Sequence, residues 1–293
     1  MKRSDLVHVF PFVALPLGYA YKKMCKKPLL ATFYELFFDK WRETDGTIKG
    51  GFFQFAESLF TKLSYDRCAA LSQYTLSCMK SAGMDSEKMS VIYPGIDEAF
   101  FRDVKPAESM ASLGDEIYMY FGRPGTSKGL NFLIEASKTV HEKRPDSTLV
   151  LMLSSEPAAY RKKIIDLAKG LDWIKIVPSV PHSEMPAYIA ASDIAVLPSV
   201  SEGFCLTAAE ASAQGKAVVA TTAGALPEVI KDRETGLLVP PANSGALANA
   251  IISLLEDRSR RESLGRNGRK YVKRFTWDNM VEGYAKLYSG MCK

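Results

Sequence analysis

Histidine and cysteine are both scarce in this 293-residue chain, and neither is spaced to hold a metal. The three histidines, His8, His141 and His182, contain no H-E-x-x-H pair, which argues against a histidine-rich metal site. The five cysteines, Cys25, Cys68, Cys78, Cys205 and Cys292, are odd in number, far apart and free of C-x-x-C. That pattern argues against a disulfide framework or zinc site and for a reducing, cytoplasmic compartment. No apolar run reaches the roughly 18 residues a transmembrane helix needs. Charge of one sign is lacking too: 38 Lys and Arg against 33 Asp and Glu leave a net +5, with no block of like charges. So small and dispersed an excess excludes a nucleic-acid reader, while fitting a phosphate-bearing ligand or an anionic surface. The common phosphate and nucleophile loops, G-x-G-x-x-G after a strand, G-x-x-x-x-G-K-[ST] and G-x-S-x-G, are missing as well.

What remains is ordinary globular composition, 47% hydrophobic and 24% charged. At roughly 100–200 residues per domain, the length suggests two domains. Lys2 and Arg3 ahead of the apolar stretch Leu6–Ala20 give the start a superficial likeness to a signal peptide. Asp5, His8, Pro11 and Pro16 interrupt that stretch, and Lys22, Lys23, Lys26 and Lys27 follow it. A buried strand Leu6–Phe10, then a loop and a helix, is the preferred reading.

The second half alternates regularly. Strands are expected at Ile117–Phe121, Thr148–Leu153, Ile174–Val177, Asp193–Leu197, Ala217–Ala220 and Gly236–Val239. Helices are expected at Leu130–Lys143, Ala158–Leu171, Glu184–Ala191 and Phe204–Gln214, with only helix beyond Ser244. These strands are continuous Val/Ile/Leu runs, the mark of a parallel sheet covered on both faces. The fold class is therefore α/β, doubly wound. The first half is thinner, with strands at Leu6–Phe10, Leu29–Thr32, Ala69–Leu71 and Val91–Ile92 and helices at Phe52–Tyr65 and Gln73–Gly83. The polar, proline-bearing stretch Tyr93–Gly114 reads as the linker. The aromatic run Phe52, Phe53, Phe55, Leu59, Phe60 and Leu63 reads as core packing, with attachment to a membrane surface as the alternative.

Two segments carry chemistry. Gly122-Arg123-Pro124-Gly125-Thr126-Ser127-Lys128-Gly129 follows a strand and precedes a helix, where ligands of open parallel sheets bind. Its glycines permit a tight turn, and Arg123 and Lys128 bring two cations suited to phosphate. The second, Pro198-Ser199-Val200-Ser201-Glu202-Gly203-Phe204-Cys205-Leu206, also joins a strand to a helix. The free N–H groups at Phe204–Leu206 would form an anion site. Glu202 and, two turns into the helix, Glu210 could accept hydrogen bonds from sugar hydroxyls. Each taken singly also fits a solvated surface charge.

The joint pattern, Glu202-x7-Glu210 inside P-S-x-x-E-G-F with the F-G-R…K-G loop upstream, resembles the retaining nucleotide-sugar glycosyltransferases of group 1, family four. Tyr93-Pro94-Gly95-Ile96-Asp97, Gly224-Ala225-Leu226-Pro227-Glu228 and Gly236-Leu237-Leu238-Val239-Pro240 resemble further segments of that family. The resemblance implies the GT-B fold, two Rossmann-like doubly wound domains. It divides the chain into 1–105 on the acceptor side, 106–275 on the donor side and a terminal helix, 276–293, returning to the first domain. It implies a diphosphate clamp of Arg123 and Lys128 and a donor-sugar contact at Glu202; these three are the expected catalytic residues. Gly122, Gly203, Phe204, Cys205 and Leu206 would hold diphosphate and nucleoside, Ser179, Val180 and Pro181 the base, and Glu210 the ribose. No metal and no cofactor are implied, since the nucleotide-sugar is a substrate and the cations neutralise its leaving diphosphate. The implied activity is a retaining hexosyltransferase, working in the cytoplasm or at the inner face of the membrane on a sugar or lipid-linked acceptor.

The departures lie in the first half. Ser4-Asp5-Leu6-Val7-His8-Val9-Phe10 resembles a mid-domain segment of the family, and Tyr34 stands where many members have a histidine. The first domain is thus expected to be short of its initial βα units. A non-catalytic or split-enzyme donor-binding subunit, completed by a partner chain or self-association, is the alternative. A hydrolase using Glu202 and Glu210 as its carboxylate pair is a third reading, disfavoured by the Arg123/Lys128 loop.

Overall fold

The computed structural model describes residues 4–10, 14–38 and 40–292. Lys2, Arg3 and Pro11, which enter the signal-peptide alternative, lie outside them. The chain divides into two compact units, one of 1–95 with 275–293 and one of 96–274.

The first unit runs β1 (Val7–Val9), α1 (Leu15–Cys25), β2 (Leu29–Phe33), α2 (Lys40–Asp45), α3 (Thr47–Thr61), β3 (Arg67–Ala70), α4 (Gln73–Ser81) and β4 (Met89–Val91). All four strands are parallel, in the order β1-β2-β3-β4. The apolar stretch near the start is therefore a sheet strand followed by a helix of the fold. Pro16 sits in the first turn of α1, where its missing N–H costs nothing, and Lys26 closes that helix in the left-handed region at φ 53°. Ser72 caps α4 by accepting from the Thr75 N–H at 3.0 Å. Leu15, Leu29, Phe33, Leu36, Tyr65 and Met79 centre the core.

Helix α3 departs from the sequence reading in extent and in facing. It starts five residues earlier than expected, and its buried positions are Gly50, Glu57 and Thr61. Phe52, Phe55 and Leu59 are exposed, while Phe60 and Leu63 pack against the core. The physical reason lies with Glu57. It is fully buried and accepts from the Phe37 N–H at 3.0 Å and the Phe38 N–H at 2.6 Å, which turns the aromatic stripe outward. Burial pushes the Glu57 carboxyl above its usual range, and those two amides partly offset it.

The second unit runs α5 (Glu108–Ala111), β5 (Glu116–Gly122), α6 (Leu130–Lys143), β6 (Ser147–Leu153), α7 (Ala158–Ala168), β7 (Ile174–Pro178), α8 (Met185–Ala190), β8 (Ile194–Leu197), α9 (Leu206–Ala213), β9 (Ala217–Thr221), α10 (Leu226–Val229), β10 (Leu237–Val239), α11 (Ser244–Glu256) and α12 (Arg258–Val272). The chain ends in α13 (Trp277–Met291), which belongs to the first unit and is capped by Thr276 accepting from the Asn279 N–H at 3.1 Å. The second sheet is all parallel, in the order β10-β9-β8-β5-β6-β7. Strands β6, β8 and β9 are buried at every residue, as continuous apolar runs predict.

The stretch expected as a free linker is structured. Glu98–Phe101 forms a 3-10 turn, Phe100 is fully buried, and Gln214 Nε2 donates to the Phe100 carbonyl at 2.7 Å. Further on, the Ala107 N–H donates to the Ala187 carbonyl at 3.0 Å. These bonds place residues 96–105, assigned from sequence to the first domain, in the second unit.

Candidate functional site

In the second sheet the chain winds outward from β5 through β6 to β7, then returns to place β8 on the other side of β5. The strand order reverses between β5 and β8, and outside the carboxyl ends of two such strands the backbone leaves a crevice. The two loops singled out in the sequence, 122–129 after β5 and 198–205 after β8, flank this position. By contrast, the described strands of the first unit follow chain order with no reversal.

The two loops are stitched together. The Val200 N–H donates to the Ser127 carbonyl at 2.8 Å. Gly129 is left-handed at φ 63°, and a Cβ there would lie 2.0 Å from the Pro198 carbonyl oxygen, so only glycine lets the loops meet. Gly224 does the same behind Glu202: its φ is 58°, a Cβ would lie 2.0 Å from the Glu202 carbonyl oxygen, and that oxygen accepts from the Ala225 N–H at 2.9 Å.

This scaffold brings Lys128, Ser199 and Glu202 together. Lys128 Nζ lies 2.6 Å from Glu202 Oε1, and Ser199 Oγ donates to the same oxygen at 2.8 Å. The Glu202 side chain is 8% exposed and that of Lys128 26%, so water reaches the cation more freely than the anion. The Ser199 carbonyl accepts in turn from Thr221 Oγ1, tying the loop to β9. Arg123 is exposed beside this cluster, with its carbonyl accepting from Tyr120 Oη at 3.0 Å. Burial, with Glu202 nearby, raises the Tyr120 hydroxyl well above its ordinary pKa, so it stays a donor.

Helix α9 begins at Leu206, two residues later than expected, because Cys205 adopts φ 76° and breaks the helical path. Gly203, Phe204 and Cys205 are buried in the loop and Leu206 is 43% exposed. No side chain caps this N-terminus, since Cys205 Sγ lies 3.3 Å from Thr207 Oγ1 instead. Thr207 also neighbours Gly122, where a Cβ would lie 3.8 Å from Thr207 Cγ2, so the helix start reaches the end of β5. Burial pushes the Cys205 thiol up to about 12, which makes it a packing residue rather than a nucleophile.

Glu210 stands apart from Glu202 in its partners. It lies 3.1 Å from His182 Nε2, and the His182 ring packs 4.9 Å from that of Phe100. Burial raises the Glu210 carboxyl above its ordinary value, and His182 opposes that shift. Two residues before His182, Val180 is half-buried between exposed Ser179 and Pro181, and the His182–Glu210 contact brings the loop after β7 to α9. Ser199 and His182 were assigned no role from sequence. A hydroxyl two residues past a buried strand was the available signal for Ser199. For His182 there was none, because its partner lies 28 residues away.

Tyr34, just past β2 in the first unit, is 46% exposed, with its ring 6.1 Å from that of Phe10. A second polar cluster lies in that unit. His8 Nδ1 is 2.8 Å from Tyr288 Oη and Nε2 is 2.7 Å from Thr32 Oγ1, which is 3.1 Å from Tyr284 Oη. It pins α13 to β1 and β2. Burial lowers the His8 pKa to about 4, so the ring is neutral, with one nitrogen donating and the other accepting.

The family model of glycosyl transferases group 1 matches residues 101–271, and that of Glycosyltransferase Family 4 matches 1–100. The D-inositol 3-phosphate glycosyltransferase of Corynebacterium efficiens is 28% identical over 303 residues, covering 97% of this chain and 71% of that protein. Among solved structures, the sucrose-phosphate synthase of Thermosynechococcus elongatus superposes with a TM-score of 0.86 at 25% identity, over 98% of this chain and 73% of its own. HepE of Anabaena, in complex with UDP-glucose, superposes with a TM-score of 0.84 at 22% identity, over 99% of this chain and 79% of its own. The two parallel α/β units are thus a GT-B fold.

Proposed function

The chain belongs to the group 1 glycosyl transferases, and from that premise we propose that it moves a sugar from a nucleotide-sugar donor to an acceptor with retention of configuration and without a bound metal. The observation that carries this reading is the Lys128–Glu202–Ser199 cluster at the point where the second sheet reverses its strand order. A diphosphate in that crevice would lie beside Arg123, Lys128 and the uncapped start of α9. It would compete with Glu202 for the Lys128 ammonium, and the released carboxylate would then accept from donor-sugar hydroxyls. Arg123, Lys128 and the helix start face the charge that grows on the leaving diphosphate, which favours the transition state over the bound donor. Glu210 and the Val180 loop would hold the ribose and base. UDP-glucose, present in the HepE complex, is the first donor to try. Inositol 3-phosphate, a sugar phosphate and lipid-linked sugars form the first acceptor panel.

Calorimetry with UDP, GDP and ADP, each with and without EDTA, tests the donor site. At least one should bind in EDTA, and Arg123→Ala should weaken the diphosphate roughly 10–100-fold while sparing the nucleoside. Binding by none, or only with added metal, refutes the reading. The anomeric proton of the product reports retention directly. A second reading, a donor-binding subunit that transfers only with a partner chain, is favoured by one observation: the described strands of the first unit contain no order reversal to build an acceptor crevice. Donor binding without turnover across the acceptor panel would select it.

A further inference from the structure

Helix α3 carries Ile48, Phe52, Phe55 and Leu59 at spacings of four, three and four, one stripe along three turns. These side chains are 92%, 67%, 68% and 51% exposed. On α1, Leu17 and Met24, two turns apart, are 73% and 83% exposed. Strands β1, β2 and β3 follow one another in a parallel sheet, and right-handed crossovers of that order put α1 and α3 on one face of it. Lys22 ties them, donating to the Ser64 carbonyl at 2.9 Å and pairing with Asp66 at 2.7 Å. Among the described residues, Lys23, Lys26, Lys49 and Lys62 are exposed on and beside these helices, Arg42 is exposed near Gly51 of α3, and Asp66 is taken up by Lys22. Helix α1 contains no carboxylate, and the one in α3, Glu57, is fully buried and engaged by Phe37 and Phe38.

We infer that the α1/α3 face docks the protein on an anionic lipid surface, with the Ile48–Phe52–Phe55–Leu59 stripe entering the headgroup–acyl boundary and the lysines meeting lipid phosphates. Exposed aromatics on one side of a helix, flanked by lysines, are the features that hold a helix in the plane of a bilayer. The charge pattern chooses this occupant over a second copy of the chain. Two such faces would set lysine against lysine, whereas anionic headgroups complement Lys23, Lys26, Lys49 and Lys62. Docking needs no donor, so it stands apart from the catalytic reading.

The test is flotation of the full chain with phosphatidylcholine vesicles, with and without phosphatidylglycerol, alongside light scattering. The chain should float with the anionic vesicles and far less with the zwitterionic ones. Phe52→Ser/Phe55→Ser should lower the partition roughly tenfold or more. Lys23→Gln/Lys26→Gln should lower it about fivefold per lysine on anionic vesicles only. All four positions are solvent-facing, so both variants should retain the parental urea transition. A parent that stays in the aqueous fraction, or variants that float like the parent, overturns the inference. So does a parental dimer that ignores vesicles and that Phe52→Ser/Phe55→Ser dissociates, which would give the face to a second copy.

Discussion

Replacing Lys128 by methionine keeps most of the side-chain stem and deletes the ammonium that lies 2.6 Å from Glu202 Oε1. Glu202 would then be a nearly buried carboxylate whose remaining side-chain partner among the described residues is the Ser199 hydroxyl. Breaking a fully buried pair by removing one partner costs about 3–5 kcal/mol. Here the lysine side chain is 26% exposed, so water screens part of that loss, and about 1–3 kcal/mol is expected. Glu202→Gln is the gentler change. The amide oxygen still accepts from Ser199, and Lys128 is the member of the pair that water already reaches, so about 0.5–1.5 kcal/mol should be lost. Lys128→Met/Glu202→Gln should cost less than the sum by about 1–2 kcal/mol, because the second change removes the anion the first left unpaired. Urea unfolding of the four proteins at constant m-value measures this. Equal single losses that add within about 0.5 kcal/mol would mean the pair is a surface contact and that Glu202 is not held by Lys128.

Other consequences concern both units. Gly129→Ala should cost about 2–4 kcal/mol from the left-handed backbone and the 2.0 Å approach to the Pro198 carbonyl, and should weaken diphosphate binding by parting the two loops; an unchanged melting curve and affinity would contradict the stitching. Glu57→Ala should cost about 2–4 kcal/mol, since the Phe37 and Phe38 amides both lose their acceptor, with Glu57→Gln losing less; denaturant midpoints of the two variants decide it. His8 binds its proton near 6.5 when unfolded and near 4 when folded, so between those values the unfolded state holds more protons. Its contribution is therefore complete above about 6.5 and lost as pH falls toward 4, and His8→Gln should flatten the urea midpoint over that window; an unaltered slope would remove His8 as the cause.

The sequence by itself determined the α/β class, the strands of the second unit and the two loops at its switch point. Strands buried on both faces must be continuous apolar runs, and a ligand loop between a strand and a helix must carry glycine and charge. Helix α6 was legible to the residue, Leu130–Lys143, because its apolar positions recur at helical spacing and Gly129 precedes it. Only the tertiary structure decided that Lys128 and Glu202 are partners, 74 residues apart, and that His182 meets Glu210. It also decided that the aromatic stripe of α3 points outward. Periodicity identifies a helix face but not which face turns inward, and here the amides of Phe37 and Phe38 claim Glu57 from the interior. Spatial pairing is set by strand order and loop closure, and neither is written in local spacing.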